Sequence, residues 1–228
     1  MAEPAAKSPR PARHGEAGIF RHAAEAAVAS AGLVLFALAV HARLPWTLLS
    51  AGGLVVAAVA IGRALAGEPS ARALLGLARL SPRVLALIAA GLVVGGGMAA
   101  TYRVYMGMAA LPLGGLEAFV LVACLIGAAE EVVYRGYVQG SLAGLGWPAA
   151  VGLAAVAHAA YKTALFAFPA GAAEINYPFL AVWTVLGGTV FGLLRQFSGS
   201  VLAPVAAHAA FDLVVYGAVA QAPWWVWG

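Results

Sequence analysis

Seven apolar runs follow one another along this chain, at about residues 23–42, 46–66, 84–101, 116–140, 148–168, 177–195 and 200–220. Each approaches the ~20 residues that a helix needs to cross a bilayer. Turn and helix-breaking residues separate them: Pro45, Pro69 and Pro82, Pro112, Gly144 to Pro148, Pro169 and Gly199. Only 10% of the 228 residues are charged and 63% are hydrophobic. A soluble domain carries about 25% charged residues, and no soluble fold of this length has an interior large enough for so much apolar side chain. The runs do not alternate polar with apolar residues, which excludes a membrane barrel. The expectation is an all-α, multi-pass transmembrane bundle of about seven spans.

Residues 1–22 are polar and basic, with Lys7, Arg10, Arg13 and Arg21, and read as a cytoplasmic tail. Residues 23–228 form the transmembrane helical domain. No cleavage site follows the first apolar run, so it reads as a retained span. Within residues 67–83, "SARALLGLARL" predicts a short interfacial helix. A cytoplasmic N-terminus assigns Arg63, Arg72, Arg79, Arg83 and Arg195 to the inner side along with the tail. Arg43, Arg103 and Lys162 fall to the outer side, an asymmetry that satisfies the positive-inside rule. The tryptophans of the C-terminal "PWWVWG" suit an interfacial belt. The composition, rich in alanine and glycine, reads as a bacterial inner-membrane protein. The lone Cys124 excludes an intrachain disulfide. The net charge of +4 comes with no basic stripe interleaved with aromatics, so nucleic acid is not an expected partner.

Against this background the stretch "AAEEVVYRGYVQG" at residues 128–140 stands out. An ionisable group inside a membrane costs at least ~2.5–3.5 kcal/mol, and such groups are functional by default. Glu131 and Arg135 are spaced i, i+4 and can pair along one helix face. Glu130 points about 100° away and has no partner in its own segment. His158 and His208 lie in the fifth and seventh apolar runs. Counted from the inner ends, Glu130 lies at ~15 Å and His208 at ~12 Å, and His158 sits about as deep as Glu130. His208 and Asp212 are again i, i+4, so Asp212 can accept a bond from one ring nitrogen and fix the tautomer. Glu25, Glu117, Lys162 and Glu174 lie near expected helix ends and read as snorkelling or loop-facing groups. Tyr134, Tyr137, Phe211 and Cys124 read as packing.

A carboxylate beside a histidine can hold a water and take its proton. A second histidine can donate to a developing oxyanion. Glu130 and His158 as the base pair, with His208 as donor, make a workable amide hydrolase without a serine or cysteine nucleophile.

The pattern Glu130, Glu131, three residues, Arg135 and then Gly136 resembles the signature of the CAAX protease and bacteriocin-processing (CPBP) family of intramembrane glutamic endopeptidases. The family's His-x3-Asn/Asp motif falls on His208 and Asp212, and the histidine of its Phe-x3-His motif falls on His158. Ala154 stands where that motif has phenylalanine. The resemblance covers about residues 116–215. It implies that Glu130 and His158 activate the water and that His208 and Asp212 stabilise the oxyanion, with Glu131 and Arg135 in support. It implies no cofactor and no metal, a membrane-associated protein or peptide as substrate, and a site open to the cytoplasmic leaflet. Eukaryotic members trim prenylated CAAX proteins, and bacterial members are linked to bacteriocin processing or sorting-tag removal. The oligomeric state is not legible.

Two other readings compete. Glu130, His158 and His208 are chemically able to ligate zinc, although no His-Glu-x2-His motif is present. A proton-coupled transporter or relay scaffold would also use such groups, although no inverted repeat is visible.

Overall fold

The computed structural model describes residues 16–40, 46–67, 71–77, 79–112, 114–167 and 176–220. The expectations for the first fifteen residues, for Glu174 and for the C-terminal tryptophans lie outside these residues. Among the described residues all regular structure is helical: α1 (Glu16–Ala39), α2 (Trp46–Gly67), α3 (Ala71–Leu75), α4 (Pro82–Tyr105) and α5 (Phe119–Glu131). A π-helical segment, Val132–Val138, continues α5 into α6 (Gln139–Ser141), followed by α7 (Trp147–Leu165), α8 (Tyr177–Ser198) and α9 (Leu202–Tyr216).

Every apolar run coincides with a helical segment, but the runs are not equivalent. Among the described residues, α1, α2, α4 and α8 are the four helices long and apolar enough to cross a membrane. The expected count of about seven is therefore supported for four. The other three segments carry the candidate site residues. α5 gives way to π geometry after Glu131, α7 carries His158 and Lys162, and α9 is only 15 residues long. α1 begins at Glu16, inside the stretch expected to be tail. Its Ala-rich sequence favours a helix, and Ile19 packs against Gly144 in the turn before α7.

Local signals set the helix ends. The Ser81 side chain accepts a bond from the Val84 amide at 3.3 Å, and Pro82 opens α4. Asn176 caps α8 through the Phe179 amide at 3.0 Å, and Gly199 closes it in the left-handed region at φ 68°. Arg103 is buried near the end of α4. It donates to the carbonyls of Ala109, Val214 and Val215 at 2.7, 3.4 and 3.3 Å, and so satisfies the last turn of α9.

The distribution of bulk is inverted relative to a soluble domain. Val93 is 75% exposed and Leu125 71%, whereas Ala203 and Ala207 are fully buried. Large side chains face the lipid and small ones face neighbouring helices, as membrane packing requires. The tightest case is α4 on α9. Gly91 and Gly95 lie one turn apart against the Ala203 and Ala207 carbonyls, where any β-carbon would strike backbone. That contact fixes α9 one residue before His208. The 67–83 segment supplies only the five-residue α3, whose Leu74 and Leu75 pack onto Gly140 and Gly136 beside the π segment.

Candidate active site

Three helical segments bring the ionisable residues together. The end of α5 and the π segment supply Glu130, Glu131 and Arg135. α7 supplies His158 and Lys162, and α9 supplies His208 and Asp212. The π segment passes through the middle of the bundle, and Tyr134 to Val138 are all buried. Wide turns of this kind recur at functional sites.

Glu131 is the anchor. Its Oε1 accepts from Arg135 Nη1 at 3.2 Å and from His208 Nδ1 at 2.8 Å. The expected pairing of Glu131 with Arg135 is present. The expected tautomer lock on His208 is different: Glu131, not Asp212, accepts the hydrogen bond from Nδ1–H. Asp212 stands 3.9 Å from His208 Nε2, too far for a hydrogen bond. The i, i+4 spacing allowed the Asp212 contact, but the packing of α9 on α5 turned the other ring nitrogen to Glu131.

Arg135 also sets the state of His158. Its Nη1 lies 2.9 Å from His158 Nδ1, and a guanidinium has donors only. Nδ1 is therefore the acceptor, the ring is neutral, and its proton lies on Nε2. That Nε2–H donates to Glu130 Oε2 at 3.2 Å. The tautomer assignment follows from this network. The Tyr134 ring stacks on His158 with centroids 4.6 Å apart. Ala154, where the family motif has phenylalanine, is buried in one cluster with Tyr134, Tyr137, Ala26 and Ala29. The aromatic neighbour of His158 thus comes from the π segment.

Glu130 has two further neighbours. Lys162 Nζ lies 2.6 Å from its Oε1, and His208 Nε2 lies 3.9 Å from its Oε2. The expectation that Lys162 snorkels or faces a loop is thus corrected. It lies one helical turn beyond His158 and points to the same carboxylate. Glu117 is exposed in a loop, as expected, whereas Glu25 lies inside α1 within 3.7 Å of His22. Cys124 packs with its Sγ 3.5 Å from the Ala209 carbonyl.

A cavity of about 490 Å³ opens onto His158, Lys162, His208 and Asp212. Its far wall is aromatic. Tyr105 stacks on Phe179 at 4.4 Å, and Phe179 stacks on Trp183 at 5.9 Å. Tyr102 lies 5.9 Å from Phe211, so Phe211 belongs to the cavity wall as well as to the packing. Sequence reading missed this wall because its residues come from three helices at no fixed spacing. A smaller cavity of about 240 Å³ is lined by Glu130, Lys162, His208 and Asp212, with Phe36 from α1 and Ile126 from α5. Among the described residues, no three His, Cys, Asp or Glu side chains converge with metal-ligating geometry.

Gly127 makes the approach of α9 possible. A β-carbon there would meet Asp212 Oδ2 at 2.5 Å and His208 Cδ2 at 2.9 Å. Gly127→Ala is expected to displace the His208 ring and to lower kcat about 10²-fold, the usual cost of an ångström-scale misplacement. Kinetics on protein that remains monodisperse in detergent checks this.

The helices and the lipid-facing bulk are those of a membrane protein, and the buried carboxylate–imidazole cluster is its candidate site. Residues 112–214, which hold the whole cluster, match the family model of the type II CAAX prenyl endopeptidases, Rce1-like, and over that segment the resemblance to the CPBP family is borne out. No curated protein and no solved structure matches the chain.

Proposed function

We propose that this chain is a glutamate-dependent, metal-independent intramembrane peptidase, and that α5, α7 and α9 lie within the bilayer beside the four long helices. Glu130 is the general base. It takes a proton from a water as the water oxygen bonds to the substrate carbonyl carbon, and it passes that proton to the leaving amine as the C–N bond breaks. His158 orients the Glu130 carboxylate through its Nε2–H. His208 turns Nε2 toward the reacting centre, where a protonated ring donates to the oxyanion, and Asp212 supports that form. Three carboxylates face the guanidinium of Arg135 and the ammonium of Lys162 in this cluster, so a proton on His208 brings it to neutrality. Glu131 and Arg135 hold both imidazoles in register.

The observation that carries this reading is the convergence of His158 and His208, from two separate helices, on the adjacent buried carboxylates Glu130 and Glu131 at the end of α5. The substrate is a membrane-associated protein or peptide. Its scissile segment lies in the larger cavity with an apolar group against the aromatic wall. A bacterial role in sorting-tag removal or bacteriocin processing fits the composition, with the N-terminus in the cytoplasm. Mass spectrometry of membranes from cells expressing the wild type or Glu130→Gln tests the proposal. New C-termini that appear only with the wild type are expected, and identical peptide sets would contradict it.

A further inference from the structure

Lys162 is unexplained by the three motifs, yet it makes the shortest contact to the proposed base, 2.6 Å from Nζ to Glu130 Oε1. His158 holds the other oxygen, Oε2, at 3.2 Å. The two groups come from successive turns of α7, so one helix grips both carboxylate oxygens. Glu131 has Arg135 as its own cation at 3.2 Å, and that guanidinium is committed to Glu131 and His158. Lys162 is thus the cation that answers Glu130. A buried carboxylate without such a partner bears a desolvation penalty of several kcal/mol. The Lys162 side chain is 24% exposed, and Lys162 lines both cavities, as does Asp212.

We infer that Lys162 is a positioning residue of the peptidase: it keeps Glu130 ionised within the bundle and fixes the carboxylate, by Oε1, in the orientation from which it meets the water. This inference rests on the reading of Glu130 as the base. It adds a functional position to α7, one helical turn after His158.

The test uses the full chain in liposomes with a fluorogenic peptide that spans a cleavage site found by the mass-spectrometric comparison above. Lys162→Met keeps the bulk and removes the charge. It is expected to lower kcat about 10²-fold with KM changed less than about twofold, the signature of lost orientation at the reacting centre. Lys162→Arg is expected to recover most of that loss. Because the site is open to both cavities, ethylammonium is expected to raise the rate of Lys162→Ala, and ethanol is not. A purely structural lysine would show neither the kcat-against-KM split nor this rescue. A second measurement needs no turnover. Infrared difference spectra of Lys162→Met are expected to show a protonated-carboxyl stretch. That stretch is expected to be absent from the wild type and from the Lys162→Met/Glu130→Gln double variant. Near-wild-type kcat in Lys162→Met, no response to ethylammonium in folded Lys162→Ala, or unchanged infrared spectra would overturn the inference. Full activity in Glu130→Gln would instead remove the reading beneath it, so the two failures are told apart.

Discussion

Glu130→Gln is expected to lower kcat by about 10²–10⁴-fold, the contribution of a positioned general base, while the protein remains folded. Glutamine keeps the shape of the side chain and an oxygen that accepts from His158 Nε2 or Lys162 Nζ, now 3.2 and 2.6 Å from the carboxylate. What it lacks is the basicity to take a proton from water. The Glu131 anchor, with Arg135 at 3.2 Å and His208 at 2.8 Å, is untouched, and Lys162, which loses its carboxylate, is 24% exposed, so the loss of thermal stability should be smaller than for Arg135→Met. Kinetics together with a detergent thermal-shift measurement checks both halves. A variant that is folded and fully active would show that the proton goes elsewhere.

Arg135→Met carries the largest expected loss of stability. Arg135 is 1% exposed and Glu131 fully buried, and removing one partner of such a pair costs about 3–5 kcal/mol. The consequences are not confined to stability. Without Nη1 at 2.9 Å, His158 Nδ1 has no donor, and the ring is free to change tautomer or take a second proton. The expected result is a lower unfolding temperature in detergent and lost activity in the fraction that stays folded. Arg135→Lys separates the effects: it keeps a cation for Glu131 but not the planar fork, so it should recover stability more than rate. Stability equal to wild type in Arg135→Met would contradict the network described here.

The helical architecture was legible because apolar runs are long and their breakers sharp, and all seven runs fall on helices. Hydropathy could not show that α5, α7 and α9 differ from the other four. They are shorter or more polar, and their polar residues face each other across the bundle. The site was legible because ionisable residues in such runs are rare enough that each demands an explanation. Glu131 with Arg135 followed from spacing on one helix. The partner of His208 did not, since spacing within α9 proposed Asp212 and packing across helices chose Glu131. Lys162 was misread because a residue near a helix end can snorkel outward or turn inward, and only the rotation of α7 decides. The role of Arg135 in setting the His158 tautomer needed the distance between two helices, which no single-chain pattern encodes.

Hydrolysis in H₂¹⁸O by the reconstituted wild-type protein, with a chelator present throughout, tests the central claim most directly. The account predicts undiminished cleavage, one ¹⁸O atom in the newly formed C-terminal carboxylate, and no label or cleavage with Glu130→Gln. Activity lost to the chelator and restored by zinc, or a covalent peptide–protein intermediate, would contradict it.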